Sequence, residues 1–294
     1  CKNDIAAFQP DVIIFIDFSG FNLRIAQWAK KQGYKTNYYI SPQVWASRAG
    51  RIKKIKRDID RMYVILPFEE AFYAKYDMQV SFVGHPLLDA IDNSTLINNK
   101  DLRRRFNLHP SKPIIALLPG SRKQEVQKML SVMLSINQQF KSYQFVIAGA
   151  PSLEEGFYRP YLKANEVGFV PNQTYSLLHN AHAALVTSGT ATLETALFKV
   201  PQVVCYKGNW ISYQIAKRII TLNYISLVNL IMDKEVVKEL IQSALNTENL
   251  AAALTTLLAG PKREAMLLDY ESLSQKLGGI GASKKTARLI VENL

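Results

Sequence analysis

Two short stretches of the chain carry the residue types that hold phosphate. In Leu118-Pro119-Gly120-Ser121-Arg122 and in Thr187-Ser188-Gly189-Thr190-Ala191-Thr192-Leu193-Glu194, a Gly/Ser turn stands between an apolar run and a helix-like pattern. The preceding runs, Pro113 to Leu118 and Ala183 to Val186, read as buried parallel strands. A turn in that place aims the backbone N–H groups of a helix start at an anion. Gly120 lets the backbone come close to a ligand, Ser121 offers a hydroxyl and an N-cap, and Arg122 supplies a forked cation. A helix end contributes about 0.3–1 kcal/mol to anion binding and a hydrogen bond to a charged group about 1.5–3 kcal/mol, so Arg122 outweighs the helix. The same residues also read as a capped helix with an exposed arginine. In the second turn Ser188, Gly189 and Thr190 lead into a helix that carries Glu194 one turn in. That carboxylate either accepts hydrogen bonds from ribose hydroxyls or complements the helix dipole. Neither turn is Gly-x-Gly-x-x-Gly or ends as a Walker loop, so nicotinamide binding and ATP hydrolysis lose their usual support. A sugar-nucleotide donor fits better.

Other candidates lie in the first half. Asp17 closes an apolar strand and precedes Ser19-Gly20-Phe21-Asn22, a turn into a helix. In an open α/β sheet that edge faces the ligand crevice, where Asp17 would take the proton of an attacking sugar hydroxyl and Ser19 and Asn22 would serve the acceptor side. Helix capping by Asp17 and Ser19 is the competing reading. His85, in Gly84-His85-Pro86, ends another strand and either touches substrate or is structural. From Trp45 to Arg61, Ile52, Ile55 and Ile59 recur at helical spacing, with Arg48, Arg51, Lys53, Lys54, Lys56 and Arg57 crowded among them. Such a face would rest on an anionic membrane, at about 1 kcal/mol per basic residue, or would simply be solvated. Nucleic acid is disfavoured, because the cluster lacks interleaved aromatics and a reader motif.

The elements that must position these residues alternate in type. Val12 to Asp17, Thr36 to Ser41, Met62 to Pro67 and Val80 to Gly84 read as strands, with helices over Phe21 to Lys31, Val44 to Arg61 and Glu69 to Tyr76. A composition shift near residues 91–110 reads as a linker. The alternation then resumes with strands at Pro113 to Pro119, Tyr143 to Gly149, Ala183 to Ser188 and Pro201 to Tyr206. Helices read over Lys123 to Phe140, near Tyr175 and over Thr190 to Phe198, and everything after Leu230 reads as helical, ending in Lys284 to Leu294. Repeated strand–helix order predicts parallel sheets with helices on both faces, here two doubly wound domains facing across a cleft. The expected divisions are 1–100, 101–275 and a C-terminal helix, 276–294, packing back on the first domain or on a partner chain. The 294 residues carry 36 Lys and Arg against 24 Asp and Glu, a net +12, which points to an anionic partner. Two distant cysteines, Cys1 and Cys205, disfavour a disulfide framework or zinc site. No apolar run approaches the roughly 18 residues that span a bilayer. Cys1 in the first position and a strand within about ten residues suggest a chain incomplete at that end.

Longer motifs carry a resemblance. Tyr39-Ile40-Ser41-Pro42-Gln43-Val44-Trp45-Ala46, Leu66-Pro67-Phe68-Glu69, Phe82-Val83-Gly84-His85-Pro86, Leu117 to Arg122 with Glu125-Val126, Thr187 to Glu194, Tyr224 to Leu230 and Val237 to Gln242 together resemble the lipid-A-disaccharide synthase family, essentially end to end. The resemblance implies a GT-B fold and an inverting transfer that needs no metal and no cofactor. Its donor is UDP-2,3-diacylglucosamine, its acceptor 2,3-diacylglucosamine 1-phosphate, and its products the β-1,6-linked disaccharide 1-phosphate and UDP. It further implies a peripheral place on the cytoplasmic face of the inner membrane, with homodimers allowed. By resemblance Arg122 is the donor-phosphate arginine, Glu194 a nucleotide-site acid, and Asn229 and Gln242 donor-side polar residues. The family commonly places a second acid where this chain has Gly20, which moves the base to Asp17, with Asp11 and His85 behind it. The family also begins with a further segment containing a glycine-rich first loop. Competing readings are another GT-B enzyme acting on a UDP-N-acetylhexosamine, and a non-catalytic basic protein that binds membrane or nucleic acid.

Overall fold

The computed structural model describes residues 1–47, 49–94, 101–165, 167–208 and 223–294. They form two compact units: Cys1–Ala90 with Gln275–Leu294, and the described part of residues 91–274.

In the first unit, β1 (Val12–Ile16), β2 (Lys35–Tyr39), β3 (Arg61–Val64) and β4 (Ser81–Phe82) make one parallel sheet in that order. A sheet that grows in a single direction through right-handed crossovers receives its connecting helices on one face. There Ile25 and Ala26 of the helix Ser19–Lys31, Ile52 and Ile55 of Ile52–Asp58, and Tyr73 of Glu69–Ala74 pack with Phe15, Tyr38, Met62 and Val64. The other face is covered from the far end of the chain. Ile290, on the helix Ala282–Val291, joins Tyr63 and Val83, with Val12, Tyr39 and Leu289 against them. The return is fixed by polar contacts. The Asp89 carboxylate accepts from the amides of Gly281 (2.5 Å) and Ser283 (3.1 Å), and the His85 amide donates to the Leu277 carbonyl at 3.0 Å. Gly84 and Gly278 let the two backbones meet, since a Cβ on Gly278 would lie 3.1 Å from the Gly84 Cα.

The second unit carries β5 (Ile114–Leu118), β6 (Gln144–Gly149), β7 (Gly168–Pro171), β8 (Ala181–Thr187), β9 (Gln202–Tyr206) and β10 (Lys238–Ile241), parallel in the order β10-β9-β8-β5-β6-β7. The chain starts at the centre with β5, winds outward to β7, then crosses back and winds the other way from β8. This is the doubly wound order, and it places a topological switch point between β5 and β8. β5 is buried throughout and β8 from Ala183 onward, so Ile114–Leu118 and Ala183 to Val186 read as unbroken apolar runs.

Three expectations change. The stretch after Leu230 is not wholly helical, because Lys238–Ile241 pairs with β9; as an edge strand it keeps Lys238 and Glu239, which hide its pattern. The helix expected over Val44 to Arg61 breaks into Val44–Ser47, a 3₁₀ turn Ala49–Arg51 and Ile52–Asp58, and Arg61 already belongs to β3. Asp60 enforces that ending by accepting from both the amide and the hydroxyl of Thr36, at 3.0 Å each, across the sheet. The helix Glu155–Asn165 and β7 were not foreseen, for the strand Gly168-Phe169-Val170-Pro171 is short and bounded by its own Gly and Pro.

Candidate functional site

The turns after β5 and β8 lie side by side at the switch point, and they line one hollow of about 310 Å³ within the second unit. Gly120, Ser121, Ser188, Gly189, Thr190, Glu125 and Glu194 all contribute to its wall. Gly189, at φ 152° and ψ −161°, opens the helix Thr190–Leu197 in a conformation closed to residues with a Cβ. The first amides of that helix are the orphan donors every helix start leaves. The Ser188 hydroxyl is committed, donating to the Ile225 carbonyl at 3.1 Å. The Thr187 hydroxyl is buried without a partner among the described residues.

Glu194 is partly buried on the hollow's wall and accepts from the Tyr175 hydroxyl at 2.9 Å. Burial pushes the Glu194 carboxyl up, while the tyrosine bond acts the other way by favouring the charged form. Tyr175, itself packed on Phe198 with ring centroids 5.2 Å apart, thus aims the carboxylate. The sequence predicts a helix near Tyr175 but assigns that residue no role.

The first turn differs from its reading. Ser121 is not the N-cap; Arg122 holds that position, with extended backbone and no side-chain cap. The Ser121 amide points to Glu125 Oε2 at 3.3 Å, and the Ser121 carbonyl accepts from Ser152 at 2.8 Å. The Arg122 side chain is exposed, with no hydrogen bond or ion pair among the described residues, so its guanidinium is uncommitted.

Asn229 cannot meet a ligand directly. It is fully buried, its amide nitrogen donates to Val237 O and Glu239 Oε1 at 2.9 Å each, and its oxygen accepts from the amides of Val236 and Val237. With Glu239, which also takes the amides of Ile225 and Ser226 at 2.9 Å, it fixes the loop that receives the Ser188 hydroxyl. Gln242, just past β10, stands at φ 53° with its amide nitrogen buried and unpartnered among the described residues.

In the first unit, Asp17, Ser41, Glu69 and His85 follow β1, β2, β3 and β4 at the same sheet edge. Asp17 is exposed and left-handed, at φ 47°. Its carbonyl accepts from Tyr38 and from Asn22 (3.2 Å), and Asn22 also donates to Ile16 O at 2.9 Å. Asn22 therefore positions Asp17 through its Nδ2, which is committed to those two carbonyls. No side chain caps the helix Ser19–Lys31, which leaves Asp17 and Ser19 outside the capping role. Asp11 precedes β1 and Asp17 follows it, so a strand length of roughly 20 Å parts them and Asp11 does not share that edge. The His85 Nδ1 accepts from the Leu87 amide at 3.2 Å, which puts the proton on Nε2, and burial lowers its pKa to about 4. His85 is thus a neutral donor and an unsuitable base.

The proposed membrane helix loses its apolar half. Ile52, Ile55 and Ile59 are 2%, 0% and 5% exposed within the core, and Trp45 packs edge-on against Phe68 with centroids 5.0 Å apart. Lys53, Lys54, Lys56 and Arg57 remain exposed and Arg51 partly so. Arg57 is held by Asp58 at 2.7 Å and Lys56 by the Tyr76 carbonyl at 3.1 Å; Arg48 lies outside the described residues. Among the described residues no helix is long and apolar enough to cross a membrane.

A family profile described as lipid-A-disaccharide synthetase matches residues 1–291. The chain belongs to that family. Among its curated relatives, the lipid-A-disaccharide synthase of Syntrophus aciditrophicus is 42% identical over 294 residues, covering 97% of this chain and 76% of the relative. That of Coxiella burnetii is 40% identical over 290 residues, with the same coverage of each. Solved structures add the fold. UDP-GlcNAc 2-epimerase from Neisseria meningitidis, bound to UDP-GlcNAc, superposes with a TM-score of 0.67 at 14% identity over 99% of this chain and 78% of its own. The corresponding enzyme from Methanocaldococcus jannaschii gives 0.60 at 14% identity, over 100% and 80%. Two parallel α/β units of the GT-B type are common to family and neighbours.

Proposed function

We propose that the chain is a hexosyltransferase that joins UDP-2,3-diacylglucosamine to 2,3-diacylglucosamine 1-phosphate, forming the β-1,6-linked disaccharide 1-phosphate and releasing UDP. The observation that carries this reading is the single hollow at the switch point, where two glycine turns and the carboxylate of Glu194 meet in a chain of this family. The helix starts and the free guanidinium of Arg122 take the donor's diphosphate. Glu194, aimed by Tyr175, takes the ribose hydroxyls. Asn229 acts from behind by holding the loop at Ser188, and the unpartnered amide of Gln242 adds a donor at the same sheet's carboxyl edge. Asp17 is the proposed base, accepting the proton of the acceptor's 6-hydroxyl as that oxygen attacks the anomeric carbon and UDP leaves. Positive groups placed in advance stabilise the charge that develops on the leaving diphosphate. The reading includes no metal and no organic cofactor.

Both proposed substrates are acylated, and each CH₂ taken from water is worth about 0.8 kcal/mol, so partitioning of lipid dominates approach to the membrane. We place the protein peripherally on the cytoplasmic face of the inner membrane, with the exposed lysines 53, 54 and 56 facing anionic lipid. Disaccharide formation from acylated donor and acceptor, followed with excess chelator present, tests the whole reading. Product should accumulate at an unchanged rate. Turnover that stops with chelator overturns the metal-free step, and conversion of non-acylated UDP-N-acetylglucosamine to its 2-epimer in place of disaccharide overturns the transfer itself.

A further inference from the structure

The two glycine turns are not equivalent, and their difference points to one residue. Each glycine is required by its backbone, Gly120 at φ 103° and Gly189 at φ 152°. Over Gly189 the space is open: a Cβ built there meets nothing within 4 Å. Over Gly120 the space is taken. A Cβ there would lie 2.2 Å from Glu125 Oε2 and 2.5 Å from its Cδ, so the carboxylate lies directly on the turn. The same oxygen faces the Ser121 amide at 3.3 Å, the donor that a phosphate oxygen would use. Glu125 belongs to the first turn of the helix Lys123–Leu134, three residues after its N-cap, a spacing from which an acid reaches back to free amides. It also borders the hollow shared with Gly189 and Glu194, where the buried Thr187 hydroxyl is left unpartnered.

We propose that Glu125 is a resident competitor of the donor's diphosphate. Its carboxylate occupies the Gly120–Ser121 turn in the empty protein, gives way when the diphosphate enters, and returns as UDP departs. The inference rests on the donor-site reading above. Two anions do not share one amide donor, so entry of the diphosphate requires the glutamate side chain to rotate out, and its return assists product release. The turn is therefore kept formed in the absence of ligand, at the expense of affinity.

Isothermal titration of the wild-type protein and Glu125→Gln with UDP, pyrophosphate and uridine tests this. The amide of Gln keeps an acceptor for Ser121 while removing the charge. UDP and pyrophosphate should bind Glu125→Gln at least about fivefold more tightly, a change of about 1 kcal/mol, and uridine should bind both proteins equally. Equal or weaker UDP binding by the variant, with the wild type binding normally, overturns this inference alone and makes Glu125 a brace for the turn. A wild type that binds no UDP overturns the donor-site reading and the inference with it. Should Glu125→Gln not fold, the ¹⁵N–¹H resonance of Ser121 in the wild type decides: it should shift on saturation with pyrophosphate, and an unmoved Ser121 amide overturns the proposal.

Discussion

Both sheets carry polar residues in the segments that follow their strands, but the two edges use them differently. At the edge of the second unit several donors stay uncommitted: the helix amides after Gly189 beside the hollow, the guanidinium of Arg122 in the loop after β5, and the amide of Gln242 just past β10. At the edge of the first unit the acid is consumed internally, and so is the Nδ1 side of the imidazole. Glu69, 1% exposed, accepts from Ser41 and from the amides of Ile65 (3.2 Å) and Leu66 (2.9 Å), and His85 is locked by Leu87. Topology accounts for much of this. A doubly wound sheet parts its two first loops at a switch point and leaves room between them, as β5 and β8 do here. The lesson is that a polar residue at a strand end becomes a ligand group only where the fold leaves it without an internal partner. Asp17 is the exception in the first unit: its carbonyl is clamped and its carboxylate is exposed.

The contrast can be broken at four points. The largest effect is expected for Glu69→Ala, which strands three donors that a buried carboxylate now satisfies; unfolding in urea should show a loss of about 3–5 kcal/mol. A loss under about 1 kcal/mol would mean that this edge is not internally committed. Next comes acid sensitivity. With His85 near 4 in the folded state and 6.5 unfolded, the unfolded chain binds the proton more strongly below 6.5. Stability should therefore fall as pH drops from 6.5 toward 4, by about 3 kcal/mol, and His85→Gln should lose that slope. Glu69 works in the opposite sense, since burial raises its carboxyl above 4.5 and stability rises as it takes up its proton, so the difference between wild type and His85→Gln isolates the histidine. In the second unit, Arg122→Ala should leave the melting temperature unchanged, because the side chain is exposed and makes no hydrogen bond or ion pair among the described residues, while transfer drops by about 1.5–3 kcal/mol, or roughly ten- to 150-fold. Unaltered turnover there would remove the arginine from the site. The smallest change belongs to Tyr175→Phe, which deletes one hydrogen bond to Glu194. It should weaken UDP binding about two- to tenfold, with stability near wild type, and an unchanged affinity would show that Glu194 needs no guide.

Much of this arrangement could be read from residue order. Unbroken apolar runs followed by Gly and Ser marked β5 and β8 and their turns, because a fully buried parallel strand tolerates nothing else and a helix start after it needs small residues. What order does not encode is who satisfies whom. Nothing in Asn229 says that four hydrogen bonds from three residues already satisfy its amide, and nothing in Glu125 says that it lies over Gly120, although its distance from the helix start is a usable sign. The isoleucines at 52, 55 and 59 repeat at a spacing that fits a membrane surface as well as a core; only the sheet beneath them separates the two. β10 is hidden in the sequence because an edge strand keeps charges that an inner strand excludes.

The helix Ala282–Val291 covers the sheet that opens the chain, so the first unit is written in two pieces with the whole second unit between them. During synthesis the ribosome delivers every strand of the second unit before it delivers that cover. Tyr39, Tyr63 and Val83 thus wait, uncovered, until residues 282–291 emerge, and the second unit can mature first. A nascent chain arrested before residue 282 should accordingly offer a protease its N-terminal sheet while its β5–β10 sheet resists digestion.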